Sequence, residues 1–214
     1  MTTALLSTTY FGPIQWYQKL YRYDHCLIEQ YDSFLKQTYR NRCIIATTQG
    51  LQALTIPVEH CRPLSAENGQ QTAPDALMTK DIRISDHGNW RHLHWNALQS
   101  AYGESPFFEF YADDIRPFFE QRWDYLIDFN EAITEKMCEL LDIRPQMSLT
   151  TEWNKTLPEA RDFRTAIHPK HPEPDAEFRP SRYYQVYEQK FGFQPNLSIL
   201  DLLFNEGNES ILKL

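Results

Sequence analysis

The run Ala4-Leu5-Leu6-Ser7-Thr8-Thr9-Tyr10 is apolar and β-prone. Gly12-Pro13 then opens a stretch in which Ile14, Tyr17, Leu20 and Tyr21 recur at helical spacing. Cys26-Leu27-Ile28 starts another short strand directly afterwards, and two strands joined by one helix outline a β-α-β crossover between parallel neighbours. Arg42–Thr47 and residues 51–58 predict two more strands. Thr48-Gln49-Gly50 between them suits a hairpin, because glycine tolerates positive φ. The expected fold is α/β, with a mixed sheet built on an N-terminal β-α-β crossover.

Further along, residues 61–79 are polar and rich in breakers, which predicts a surface loop. Asp81-Ile82-Arg83-Ile84-Ser85 alternates with period two. Asn89 then reads as the cap of a helix whose Trp90, His94, Ala97, Leu98 and Ala101 share one face. Helix is expected from there to Leu141, with an apolar seam through Phe119, Trp123, Leu126, Asn130, Ile133, Met137 and Leu140. Asp128 is an alternative cap that splits this run. Pro169, Pro172, Pro174 and Pro180 make residues 168–182 an extended loop, either a lid or a connector. A last helix over 198–206 ends at Gly207. The chain reads as one domain over 1–214, with surface loops near 61–79 and 165–182.

Composition narrows the class. Of 214 residues 42% are hydrophobic and 14% aromatic, enough to bury a sizeable core and too many for a disordered chain. Lys+Arg 21 against Asp+Glu 29 gives a net charge of −8, which opposes broad contact with nucleic acid or anionic lipid. No stretch approaches the roughly 20 apolar residues of a membrane span. Met1-Thr2-Thr3 does not open a secretory signal, so a cytoplasmic protein is expected. Cys26, Cys43, Cys61 and Cys138 are too scattered for zinc or thiol redox chemistry and read as reduced, mostly core residues.

Candidate chemistry lies in three places. In an extended Lys36-Gln37-Thr38-Tyr39-Arg40-Asn41-Arg42 segment, Lys36, Thr38, Arg40 and Arg42 share a face. That face either binds a phosphate or carboxylate or is a charged strand edge that deters aggregation. His94 lies within an apolar stripe, as a general base or acid or as a hydrogen-bonded core histidine. In the last helix Ser198, Asp201 and Asn205 form one polar strip, for which Ser198 and Asp201 also fit a capping box. His87, His92 and His94 lack a carboxylate or cysteine at ligand spacing, so no metal or other cofactor is expected. Phosphate-cradling glycine loops and G-x-S-x-G elbows are not found.

These segments, in this order, resemble the WbqC-like family. The matching text is Lys36 to Arg42, Leu54-Thr55-Ile56-Pro57-Val58, Asp81-Ile82-Arg83-Ile84, Trp90-Arg91 with His94, Tyr102, Pro106-Phe107-Phe108, Tyr184-Gln185 and residues 197–207. The resemblance implies a part in O-antigen or other surface-polysaccharide synthesis in bacteria, with transfer of an amino-acyl group, glycine, to a sugar as the suggested reaction. Ser7-Thr8-Thr9-Tyr10 departs from the His-Gln-Pro-type turn that family members often carry after the first strand, which excludes a histidine-dependent step there. Residues 167–180 replace the family's later glycine-rich segment.

Two function classes follow. In the first, a transferase, Lys36, Asn41, Arg42, Arg83, Arg91 and Asn205 hold an anionic small molecule such as a sugar nucleotide or sugar phosphate. His94 and Asp201 then act as catalytic base and orienting group. In the second, the protein binds a sugar nucleotide or a pathway enzyme without catalysis, through aromatic surface at Tyr10, Phe11, Trp16 and Tyr17. A nucleotidyltransferase-like nucleotide site on the β-α-β unit is a further alternative, by analogy of fold.

Overall fold

The computed structural model describes residues 2–59 and 77–214. Most of the loop expected over 61–79, with Cys61, lies outside them. The N-terminal unit forms as its periodicity predicts. β1 (Thr3–Ser7) is followed by α1 (Ile14–Arg22) and β2 (His25–Glu29), and β1 pairs with β2 in parallel, Thr3 opposite His25 and Ser7 opposite Glu29. Ala4, Leu5 and Leu6 are all fully buried, as in a strand covered on both faces, where an unbroken apolar run replaces alternation.

β3 (Arg42–Thr47) and β4 (Gly50–Thr55) form the antiparallel hairpin, with Gly50 at φ 107 at its turn. The hairpin is a sheet of its own, packed on α2 (Trp90–Tyr102), so parallel and antiparallel pairing are both present but in separate sheets. Asp81–Ser85 is not a strand. Thr79–Asp81 is a 3-10 turn, and Arg83 and Ile84 make single bridges to Tyr125 and Val58. Nor does Asn89 cap α2 with its side chain; it sits at φ 48, at the end of a 3-10 turn over His87–Asn89.

The helical middle is divided. α3 (Phe108–Ile115) runs into α4 (Pro117–Glu120), and α5 (Leu126–Leu140) begins after a break. Tyr125, at φ −108 and ψ 140, precedes α5, and Asp128 stands in its first turn. Phe119 and Trp123 therefore lie outside the helix that carries the rest of the seam. β5 (Met147–Leu149) joins the far edge of β2, and β6 (Arg161–Asp162) joins β1, both in parallel, which gives the order β5-β2-β1-β6. Residues 168–182 contain no helix or strand, α6 (Glu188–Phe191) is a single turn, and α7 (Ile199–Glu206) ends at Gly207. Tyr10, Phe11, Trp16 and Tyr17 are at most 1% exposed, so they build the core and offer no aromatic surface. Cys26, Cys43 and Cys138 are buried and unpaired.

Candidate functional site

β1 is joined to β2 on one side through α1, whereas β6, on its other side, is reached only after the chain has passed through β5 at the opposite edge. The order of connection reverses between β1 and β6. In open α/β sheets the crevice outside the carboxyl ends of strands at such a point is where ligands bind. A crevice lies there, lined by Ser7, Thr8 and Thr9 beyond β1, by Thr38, Tyr39 and Arg40 before β3, and by Phe163, Arg164, Ile167 and His168 beyond β6.

Two guanidinium groups meet at its walls. Arg40 is 5% exposed; one terminal nitrogen pairs with Asp32 and the other donates to Thr38 Oγ1 at 3.3 Å. Asp32 in turn accepts from Thr79 Oγ1 at 2.5 Å. Arg164 donates to Asp162 Oδ2 at 2.6 Å and to Glu29 Oε2 at 3.2 Å. Glu29 is fully buried and also accepts from the Tyr31 amide at 2.7 Å and Thr150 Oγ1 at 2.9 Å. Such pairing is what buried charge requires. Arg40 Nε, Ser7 Oγ and Thr9 Oγ1 are nonetheless buried without a hydrogen-bond partner, and all three residues line this one crevice. Gly12 makes room for Thr9: a Cβ there would lie 2.4 Å from Thr9 Oγ1.

His168 adds a donor. Its Nδ1 accepts from the amides of Lys170 at 3.1 Å and His171 at 3.0 Å, so the neutral ring carries its proton on Nε2. Burial first, and then the positive neighbours His171, Arg40 and Lys170, hold its pKa below the usual histidine value. At neutral pH it is thus an uncharged N–H donor.

The proline-rich segment that follows His168 is tied down over α1. Lys19, 1% exposed, pairs with Asp175 at 2.6 Å and lies 4.6 Å above the Phe163 ring. Gln15 Nε2 donates to the same carboxylate at 2.9 Å, and Tyr23 donates to Glu177 at 2.8 Å. Lys170 reaches the Gln37 side chain across the way. The crevice, which His168 lines at the start of this segment, has a volume of about 10 Å³, close to the minimum that holds one water molecule.

The residues singled out from sequence are dispersed. Residues 36–41 are a turn with Gln37 at φ 64, not an extended strand, so their alternate positions share no face. Lys36 is exposed, Thr38 and Arg40 turn inward, and Arg42 bonds Thr55 Oγ1 across the hairpin at 3.0 Å. Asn41 donates to the Ile56 carbonyl at 2.8 Å. Arg83 lies over Tyr125, and Arg91 lies over Trp90 and bonds the Gln121 carbonyl at 3.1 Å.

His94 is 6% exposed, bonded through Nδ1 to the Tyr10 hydroxyl at 2.9 Å and edged by Trp90 and Phe119; burial lowers its pKa to about 4. Asp201, 1% exposed, accepts from Tyr183 at 2.6 Å, Tyr102 at 2.8 Å and Gln185 at 3.2 Å, and burial raises its pKa to about 6. The capping box is not closed. Ser198 Oγ does accept from the Leu200 amide, but the Asp201 carboxylate serves the tyrosines. Asn205 Nδ2 donates to the Asp201 carbonyl at 2.7 Å. Arg91 lines one surface cleft and Asn205 another, and the two clefts share no residue.

His94 does touch the crevice indirectly. The Tyr10 it bonds follows Thr9 and donates its amide to the Tyr39 carbonyl at 2.9 Å, and both of those residues line the wall. Ser7, Thr9, Arg164 and His168 were not singled out as site residues from sequence. The signal that points to them is position just beyond strand ends, which has meaning only once strand order is known.

Fold and crevice together define an α/β protein with a polar, doubly arginine-flanked pocket at a sheet switch point. The chain belongs to the WbqC-like protein family, whose model matches residues 8–170 and 170–213. It is 27% identical over 212 aligned positions to the uncharacterized protein Rv1507c of Mycobacterium tuberculosis (strain ATCC 25618 / H37Rv), covering 87% of this chain and 86% of that protein. No solved structure matches it. Among the described residues, no helix is long and apolar enough to cross a membrane.

Proposed function

We propose that this chain is a cytoplasmic transferase of bacterial surface-polysaccharide synthesis that binds a phosphate-bearing sugar in the crevice between the ends of β1 and β6. What carries the reading is the convergence of Arg40 Nε, Ser7 Oγ and Thr9 Oγ1, buried and unpartnered, on one crevice. Buried polar atoms without partners are uncommon, and hydrogen-bond donors beside guanidinium groups match phosphate oxygens. His168 Nε2–H is a further donor on the same wall. The family resemblance supports the pathway and supports an amino-acyl group, glycine, as the group transferred. In this reading His94 works by holding Tyr10, and Asp201 by holding Tyr102 and Tyr183.

A second reading, binding without turnover, is favoured by one feature. The three carboxylates beside the crevice arginines, Asp32, Glu29 and Asp162, are all engaged with them, and the neutral His168 presents a proton rather than a lone pair. A turnover assay with glycyl donors and sugar acceptors separates the two.

The binding claim is tested by thermal shift with sugar phosphates, sugar nucleotides and inorganic phosphate. A ligand at 100 times its dissociation constant stabilises by about 2.7 kcal/mol. Arg40→Lys keeps a charge beside Asp32 but removes Nε, and it should abolish the shift; Arg42→Ala should retain it. The opposite pattern transfers the site to the basic cluster expected from sequence. Absence of a shift with every phosphate compound refutes the crevice as a phosphate site.

A further inference from the structure

A second cleft, of about 730 Å³, lies at the C-terminal end of α7, within the roughly 300–1,000 Å³ typical of small-molecule sites. Phe107, Phe110 and Tyr111 supply its aromatic side. Phe110 is 75% exposed, and its ring centroid is 6.2 Å from that of Phe107. Gly207, at φ 57, allows Phe107 to press against the helix end: a Cβ there would lie 2.7 Å from the ring.

Apart from the Asn208 amide nitrogen, the polar side of the cleft is dominated by acceptors. Asn205 is 4% exposed; its Nδ2 is committed to the Asp201 carbonyl, which leaves Oδ1 buried with no partner. Glu206 accepts from the Tyr184 amide at 3.0 Å and has Lys213 3.9 Å from its other oxygen. Glu209 is in no ion pair among the described residues. The Tyr111 hydroxyl is donated to Asn208 Oδ1 at 3.0 Å. No lysine or arginine lines the cleft.

We propose that this cleft binds a small molecule through a protonated amine. An ammonium group has donors and no acceptor, the complement of an unpartnered amide oxygen and two carboxylates. The faces of Phe107, Phe110 and Tyr111 attract a cation through their ring quadrupoles. An anionic ligand is repelled by the same carboxylates. The cleft shares no residue with the crevice at β1 and β6, so a ligand here is independent of one there.

The test is titration calorimetry with ethanolamine, choline and 1-propanol: ethanolamine carries N–H donors, choline the charge without them, and 1-propanol is the uncharged isostere of ethanolamine. Phe110→Ala and Glu209→Gln alter exposed side chains and leave the fold in place. Ethanolamine should bind saturably and more tightly than choline, each variant should weaken that binding about fivefold, and added salt should weaken it further. The proposal is overturned if 1-propanol binds as well as ethanolamine, if ethanolamine gives no heat at millimolar concentration, or if both variants bind like the wild type.

Discussion

His94 shows how burial sets the chemistry of a single residue. An imidazolium among Trp90, Phe119 and Tyr10 would lose its hydration without gaining a carboxylate, so the folded protein holds this ring neutral, with a pKa of about 4 against 6.5 for an ordinary histidine. As pH falls, the unfolded chain takes up its proton first. Stability from this site is full above pH 6.5 and is lost down through about pH 4, a change of about 3 kcal/mol. Asp201 has the opposite sign: its folded pKa is raised from 3.8 to about 6, so it favours the folded state most at low pH and loses that contribution as pH rises through 6. The two slopes overlap, so the informative quantity is a difference. Urea unfolding of the wild type and His94→Gln across this range should show the wild type losing about 3 kcal/mol more on acidification. Equal losses would mean that His94 is already charged or solvated. The stripe that placed His94 inward is legible in its neighbours, whereas Tyr10, 84 positions away, is not.

At the scale of elements, α1 is buried nearly all round. Gln15, Gln18 and Lys19 are at most 5% exposed, although an amphipathic pattern assigns them to solvent; Asp175 bonds Gln15 and Lys19, Asn196 also bonds Gln15, and Lys19 bonds Gln18. The local periods that predict β1, α1, β2, the hairpin and α7 are strong, and these elements stand where the pattern puts them. β5 and β6 span three and two residues, too short for any period, and exist because β2 and β1 offer them free edges. The cover over α1 depends on Lys19 and Asp175, 156 positions apart, and leaving one charge of such a buried pair alone costs about 3–5 kcal/mol. Asp175→Asn keeps an acceptor for Gln15 but leaves Lys19 only the longer, 3.8 Å contact with Glu177 as a counter-charge. Trypsin should then cut after Lys170 and Arg182 faster than in the wild type; unchanged cleavage would show that the prolines alone fix the segment.

For the whole molecule, a net charge of −8 says nothing of where cations gather. The crevice brings Arg40 and Arg164 to one place from segments more than a hundred residues apart, each beside its own carboxylate, so neither forms a run that composition or spacing reveals. The basic stretch around Arg40 was visible, but its direction was not, because a turn and a strand present alternate residues differently. Resemblance of short segments reached the family, and only strand order reached the crevice.

The one-water volume of the crevice also governs how tightly any substrate holds. If only a minor population is open to ligand, the measured dissociation constant exceeds the intrinsic one by the reciprocal of that fraction, about a hundredfold for one molecule in a hundred. Asp175→Asn, by loosening the segment that begins at the crevice wall His168, should enlarge the open population without touching the ligand. The same substitution that weakens the fold should therefore raise apparent affinity, and calorimetry with a sugar phosphate would read the gain.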